Sequence, residues 1–465
     1  MNKPLCVIAG PVFNRSGYGD WTTEVAKSII RYDKYDVKIV PRKWGVCQSR
    51  RYFEEGEVSS EDIGVLNRII NGPLNQQPDI FIQLSIPSEF QKIGKYNIGM
   101  TAGIETTIAS GEFIEGVNNC DLTIALSNHA KNVLVDSRAY KQMNNGQHQE
   151  FKVQKPIEVC FWGADTNIYK KTDEKVQSVE DALNKVREDF AFLFVGQWTH
   201  ENIYQDRKAI GYLVKTFCET FEKNNKKPCL ILKTSGVGFS TTDRFVMLDK
   251  IKRIRSKFDN PPNVYLLHGE LNDVEMNALF NHEKIKAHVS FTHGEGYGHP
   301  LLLQSLSGKP LFVSNWSGHL DFLNKDYVNL LEGKLETIPK QAVNKWLLAE
   351  SKWFDVSYPL ASEKLKNFYQ GYSKNNKFRK KAEKLRIENS EKFSIEKMDE
   401  KLWSILDQYV PKFATENKFV LPKLKPIGDD NSNSDIGKIS LPKLKPIGES
   451  NETSNKITLP KLKLS

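Results

Sequence analysis

The feature that most constrains the fold is an alternation. Short apolar runs recur along the chain, each followed by a polar or helix-like stretch. PLCVIAG is followed by TTEVAKSIIRY and then YDVKIVP; DIFIQLS, YNIGMTA and DLTIALS continue the series, and KPIEVCFWGADTNIY reads as its end. EDALNKVRED then leads into a second series: FAFLFVG, a helix around KAIGYLVKTFCETF, CLILKTSG, NVYLLHG, VEMNALFNH, KAHVSFT, LLLQSLSG and KPLFVS. Apolar strands separated by helices belong to parallel sheets covered on both faces. The expected fold class is therefore α/β, in two halves, residues 1–165 and 166–392, with a joint near 165–185. SIEKMDEKLWSILDQYV reads as a final amphipathic helix within 393–410.

The alternation stops near residue 411. From there to the C-terminus one phrase occurs three times: KFVLPKLKPIG (418–428), KISLPKLKPIG (438–448) and KITLPKLKLS (456–465). Each LPKLK phrase is too short to bury a core, and its proline breaks helices. Residues 411–465 thus read as a disordered tail with three short repeats that dock on a protein partner by avidity, the alternative being a solubilising tail. The tail holds ten lysines against six carboxylates, nearly half of the chain's net charge of +9. The rest is only weakly basic, which suits an anionic substrate as well as a nucleic acid. No run approaches the roughly 18 apolar residues of a membrane-spanning helix, and MNKPLCVIAGPVF reads as a first strand rather than a signal peptide. The six cysteines are scattered without a CxxC pair, which fits a reducing compartment and a cytoplasmic location.

One short stretch carries most of the chemistry. HGEGYGHP (293–300) lies between the strand KAHVSFT and the helix LLLQSLS, with Pro300 suited to a first helical turn and Gly308 to a stop. In an open parallel sheet, ligands bind beyond the carboxyl ends of the strands. There the loop's N–H groups and the positive helix end favour phosphate, and its glycines admit close approach. A carboxylate in the same loop would repel phosphate, so Glu295 is expected to meet neutral hydroxyls. Phosphate donors beside a hydroxyl-reading carboxylate suggest a nucleotide-sugar. CVIAGPVFNRSGYGDW supplies a second strand-to-loop junction, where Gly17 and Gly19 permit the same approach.

Residues 1–410 resemble the retaining glycosyltransferases of family 4, which have the GT-B fold of two Rossmann-like domains facing across a cleft. GEGYGHPLLLQSLSGKPLFVSNWSGHLDFL is similar to that family's EGFG-type loop and the glycine loop after the next strand. FLFVGQWTHENIYQDRKAIGYLVKTF, IEVCFWGADTNIY and NIGMTAGIETTIASGEFIEGVNNCDLTIALSNHAKNVL match three further family segments in order. The resemblance implies a hexosyl- or pentosyltransferase that moves a sugar from a nucleotide-diphosphate sugar to an acceptor hydroxyl with retention. It assigns Glu295 to the donor sugar's hydroxyls and Lys208 to the donor diphosphate. Gly17 and Gly19 match the N-terminal glycine loop, and Gly296, Tyr297 and Gly298 the loop backbone around diphosphate and sugar.

Two positions depart from the family. Its arginine after VG is Gln197 here, with Arg207 or Lys233 as candidate replacements. Its second glutamate, which holds the ribose, falls on Leu303, with Gln304 adjacent to take that part. His299 stands where the family has an apolar residue; it is read either as a donor ligand or as a structural histidine. His319 and Glu105 are expected near the cleft, Asp321 as the cap of the next helix, and Trp162 and Phe161 as core. There is no Asp-x-Asp pair, no GxxxxGK[ST], no His/Cys cluster and no GxSxG, so neither a metal nor another cofactor is expected beside the nucleotide-sugar, and P-loop and serine-hydrolase chemistry are excluded. The acceptor stays open among a glycan, a lipid-linked sugar, a protein and a hydroxymethylated nucleic-acid base. The rival reading is a catalytically inactive GT-B scaffold acting through its repeated tail.

Overall fold

The structure, a computed structural model, describes residues 3–45, 47, 59–142, 147–200, 202–236 and 238–413. All of them belong to one compact unit. The three LPKLK repeats lie outside the described residues.

The first half contains β1 (Leu5–Gly10), β2 (Asp36–Pro41), β3 (Ile80–Leu84), β4 (Tyr96–Thr101), β5 (Leu122–Ala125), a small antiparallel hairpin of β6 (Ala139–Gln142) and β7 (His148–Phe151), and β8 (Ile157–Val159). Its main sheet is parallel throughout, in the order β2-β1-β3-β4-β5-β8. The second half contains β9 (Ala191–Val195), β10 (Cys229–Lys233), β11 (Val264–Leu267), β12 (Ile285–Ser290), β13 (Leu311–Ser314) and β14 (Asn329–Leu331). They form a second parallel sheet, β11-β10-β9-β12-β13-β14. β1, β3, β5 and β13 are buried at every residue, as strands covered by helices on both faces must be. The helices start where the side chains allow: Ser16, Ser110, Ser127, Ser240 and Ser394 each accept a backbone N–H of the first turn.

Strand order fixes where a ligand can bind. In the first sheet the order reverses beside β1, between β2 and β3; in the second it reverses at β9, between β10 and β12. The loops leaving β1, β9 and β12 therefore open at the two switch points, where such sheets leave a crevice.

Two further elements tie the halves together. The hairpin of β15 (Gly333–Thr337) and β16 (Lys352–Val356) projects from the second half. Lys352 N–H donates to Thr107 Oγ1 at 2.9 Å, and its carbonyl accepts Thr107 N–H at 3.0 Å. Trp346, in the hairpin's loop, packs on Phe113 with ring centroids 5.0 Å apart. The helix Ile395–Tyr409 returns to the first half, where Arg31 forms a two-point contact with Asp399 (2.7 and 3.1 Å) and Trp403 Nε1 donates to the Ser28 carbonyl. The chain crosses between halves at two adjacent points. Ala164 N–H donates to Phe393 O at 2.8 Å, and Ile395 N–H donates to Ala164 O at 3.0 Å.

Candidate active site

The site grows from the loops after β9 and β12. After β9 the chain reaches Asp206, which is 2% exposed. Its carboxylate accepts the N–H groups of Lys208 at 3.2 Å and Ile210 at 2.6 Å. This takes up the first N–H of the helix Ile210–Phe221 and fixes Arg207 and Lys208 just before it. The loop after β12 is zipped alongside, because His293 N–H donates to the Arg207 carbonyl at 2.8 Å. Glu295 is held by Ser317 Oγ, which accepts its N–H at 2.8 Å. Gly298, at φ +87°, then turns the chain into the helix His299–Ser305, a conformation that favours glycine.

These constraints bring three predicted residues together. Lys208 Nζ donates to Glu295 Oε1 at 2.6 Å, and the Arg207 guanidinium lies 3.3 Å from Glu295 Oε2. Arg207 also donates to the Gly294 carbonyl at 2.5 Å and reaches Glu105 of the first half at 3.7 Å. The Glu295 side chain is only 8% exposed. Burial alone would raise its pKa, but the Lys208 and Arg207 cations outweigh burial and hold it at about 2. Burial pushes Lys208 below the ordinary lysine range while Glu295 opposes the shift. The result is a cluster of two half-buried cations, a buried ionised carboxylate between them and a second, half-buried carboxylate supplied from across the cleft. Cations fixed in this way suit a diphosphate, and the remaining acceptor positions of Glu295 suit hydroxyl donors.

The glycines of the loop serve the contact between halves. A Cβ on Gly296 would lie 2.2 Å from the Ala102 carbonyl oxygen, and one on Gly294 would lie 2.2 Å from that of Glu105. Ser127 Oγ donates to the Gly296 carbonyl at 2.6 Å. Gly19 likewise abuts Asn14, at 2.0 Å from a built Cβ, and its N–H is taken by Ser16 Oγ. Only Gly17, exposed and with nothing within 4 Å, keeps open space above it.

Of the other predicted residues, His319 lies close enough to Glu295 and Lys208 to interact with both, and the rest stand apart from the charged cluster. Tyr297 donates its hydroxyl to the Trp162 carbonyl at 3.0 Å. His299 stacks on the Trp162 ring at 3.5 Å and 6° and donates Nε2 to the Gly163 carbonyl; burial lowers its pKa to about 3. It is a neutral ring packed at the joint between the halves. Gln304, 1% exposed, lies a turn inside the helix and makes no ion pair or side-chain hydrogen bond with the cluster among the described residues. Leu303 is half-buried against the core, and Gln197 is exposed. Lys233 donates to the Gly269 carbonyl at 2.5 Å, and burial lowers its pKa to about 8. His319 is fully buried, with Nε2 donating to the Ser314 carbonyl. Asp321 does not cap its own helix: it accepts the N–H of Asn128, at the start of a helix in the first half, at 2.7 Å.

Sequence reasoning did not anticipate Ser127, Ser317 or the pair of Arg15 and Glu270, which meet at 2.6 Å from opposite halves. A serine or an isolated charge in a loop carries no periodic signal. Among the described residues no group of three or more His, Cys, Asp or Glu is placed to hold a metal, and no helix is long and apolar enough to cross a membrane.

No family model matches the sequence, and no curated protein matches it. Solved structures do match in three dimensions. Anabaena HepE in complex with UDP and glucose is 11% identical, covering 87% of this chain and 100% of its own, with a TM-score of 0.56. A glycosyltransferase from Rickettsia africae ESF-5 is 12% identical, covering 89% and 100%, with a TM-score of 0.57. Sucrose-phosphate synthase from Thermosynechococcus elongatus is 12% identical, covering 88% and 99%, with a TM-score of 0.58. At this identity the likeness is one of fold: the chain has the GT-B fold, with two Rossmann-like halves.

Proposed function

We propose that this chain is a glycosyltransferase that moves a hexosyl or pentosyl group from a nucleotide-diphosphate sugar to an acceptor hydroxyl, with retention, as the family 4 resemblance implies. The observation that carries this reading is the cluster of half-buried Lys208 and Arg207 on buried Glu295 at the switch point of the second sheet. On the same fold, HepE is seen with UDP and glucose.

In this reading Lys208 and Arg207 hold the donor diphosphate and neutralise the charge that grows on it as the glycosidic bond breaks. Arg207 supplies the cation that Gln197 does not. Glu295 accepts hydrogen bonds from the sugar hydroxyls, and its ionised state keeps it a pure acceptor. The departing phosphate takes the proton of the incoming hydroxyl on the same face. The protein contributes position, charge stabilisation and exclusion of water. The six cysteines are free, in keeping with a cytoplasmic location, and we assign the LPKLK phrases to docking on a protein partner.

The test is a thermal-shift and hydrolysis screen against UDP-, GDP-, ADP- and dTDP-sugars. One donor should stabilise the wild type and be slowly hydrolysed, and Lys208→Met should abolish both effects. Exposed Gln197 and apolar Leu303 favour the rival, an inactive scaffold. Failure of every nucleotide-sugar to bind would decide for that rival.

A further inference from the structure

A second surface, remote from the cleft, has a charge that stability does not explain. The helix Lys377–Lys392 opens with KFRKK and has no carboxylate in its first turn. A helix start is its positive end, so cations there oppose the helix dipole. Lys377, Lys380, Lys381 and Lys384 line one surface concavity of about 410 Å³ together with Asp326, Tyr327 and Asn376. A second concavity of about 380 Å³ joins it at Lys381 and adds Lys325 and Lys364. Six lysines thus face two carboxylates, Asp326 and Glu332, and Lys364 already holds Glu332 at 2.6 Å. Among the described residues the other five lysines have no ion-pair partner.

The arrangement also limits the partner. Lys377, Lys381 and Lys384 follow helical spacing, so they form a row rising roughly 10 Å along one face. The helix's buried apolar residues, Ala382 and Leu385, are packed into the protein, and Ile387 is its one large hydrophobic that is exposed among the described residues. A helix that lies in a lipid surface needs a broad apolar face. A protein partner needs an aromatic or arginine anchor in a deep pocket; the aromatics that line this groove belong to the chain itself, Phe312 fully buried and Tyr327 and Phe378 half-buried, with Lys384 Nζ 5.7 Å over the Tyr327 ring. A row of unpaired point charges over a groove suits a regular chain of phosphates.

We propose that this groove docks the phosphodiester backbone of a nucleic acid. It lies along the edge strand β14 and by the start of β13, and shares no lining residue with the Glu295 cluster. It therefore recruits the chain to a polyanion rather than feeding the cleft. The inference is independent of the glycosyltransferase reading.

The test is fluorescence anisotropy of the full chain with a labelled DNA duplex of roughly 20 base pairs over a range of salt. The wild type should bind at low salt, with log affinity falling linearly with log salt. The triple variant Lys377→Gln, Lys381→Gln, Lys384→Gln should reduce the slope by about 2.7, at about 0.9 for each phosphate no longer neutralised. These lysines are at the surface, and an unchanged circular dichroism melt would verify the fold. The proposal is overturned by an unchanged slope, which would move binding to the tail lysines. It is equally overturned if the wild type does not bind the duplex, or if it binds phosphatidylserine vesicles and not the duplex.

Discussion

Glu295 gathers the chemistry of the site at a single residue. Its folded pKa of about 2 lies below its ordinary value of 4.5, so its ionisation stabilises the fold above about pH 4.5. That contribution is lost as the pH falls towards 2. Glu295→Gln leaves two half-buried cations without their carboxylate and should cost about 2 kcal/mol in urea unfolding at neutral pH, with the gap to wild type closing in acid. A constant gap down to low pH would show that the pair is not formed. His299 behaves in the reverse chemical sense with the same pH direction. Its folded value of about 3 lies below 6.5, so the neutral ring stabilises the joint above pH 6.5 and loses that contribution as pH falls. His299→Ala should lower stability by about 2 kcal/mol through removal of the stack on Trp162. It should leave the pH profile of donor hydrolysis unaltered near neutrality, and a shifted profile would return His299 to the chemistry.

The elements differ in how openly they are written. Both main sheets are legible because a strand buried on both faces must be apolar along its whole length, as β1, β3, β5 and β13 are. The hairpin of β15 and β16 is not legible: GKLET is mostly exposed, and the segment 338–351 separates it from its partner with no short turn signal. The loop 293–298 is legible as a glycine loop, but the reason for its glycines is not, since the atoms that crowd them belong to Ala102 and Glu105. This yields a paired prediction. Gly296→Ala should cost about 2–3 kcal/mol, because its Cβ meets a backbone oxygen that cannot retreat alone. Gly17→Ala should leave the melting temperature unchanged and, if a ligand passes close above it, weaken donor or acceptor binding alone. Equal melting temperatures for the two variants would refute the packing account.

At the scale of the molecule, the site is shared between regions of sequence that no local pattern links. Arg207 and Lys208 precede one helix, Glu295 lies beyond a strand far along the chain, and Glu105 comes from the other half. Family-like motifs mark three of these positions; the spatial pairing of Arg207 with Glu105 needs the fold. The last helix closes the architecture, so Arg31→Ala, which abandons a nearly buried Asp399, should lower global stability by about 3 kcal/mol. A loss confined to fraying of that helix in hydrogen exchange would show that it is not integral. The paired crossings at Ala164 and Phe393–Ile395 have a further consequence. A single tether would let the halves swivel like beads on a string; two bonded tethers act as the spine of a book. Each opening then returns the same facing pages to the same line, so Arg15 meets Glu270 and Glu105 meets Arg207 without a search. The meeting of the two faces is then an intramolecular event at high effective concentration.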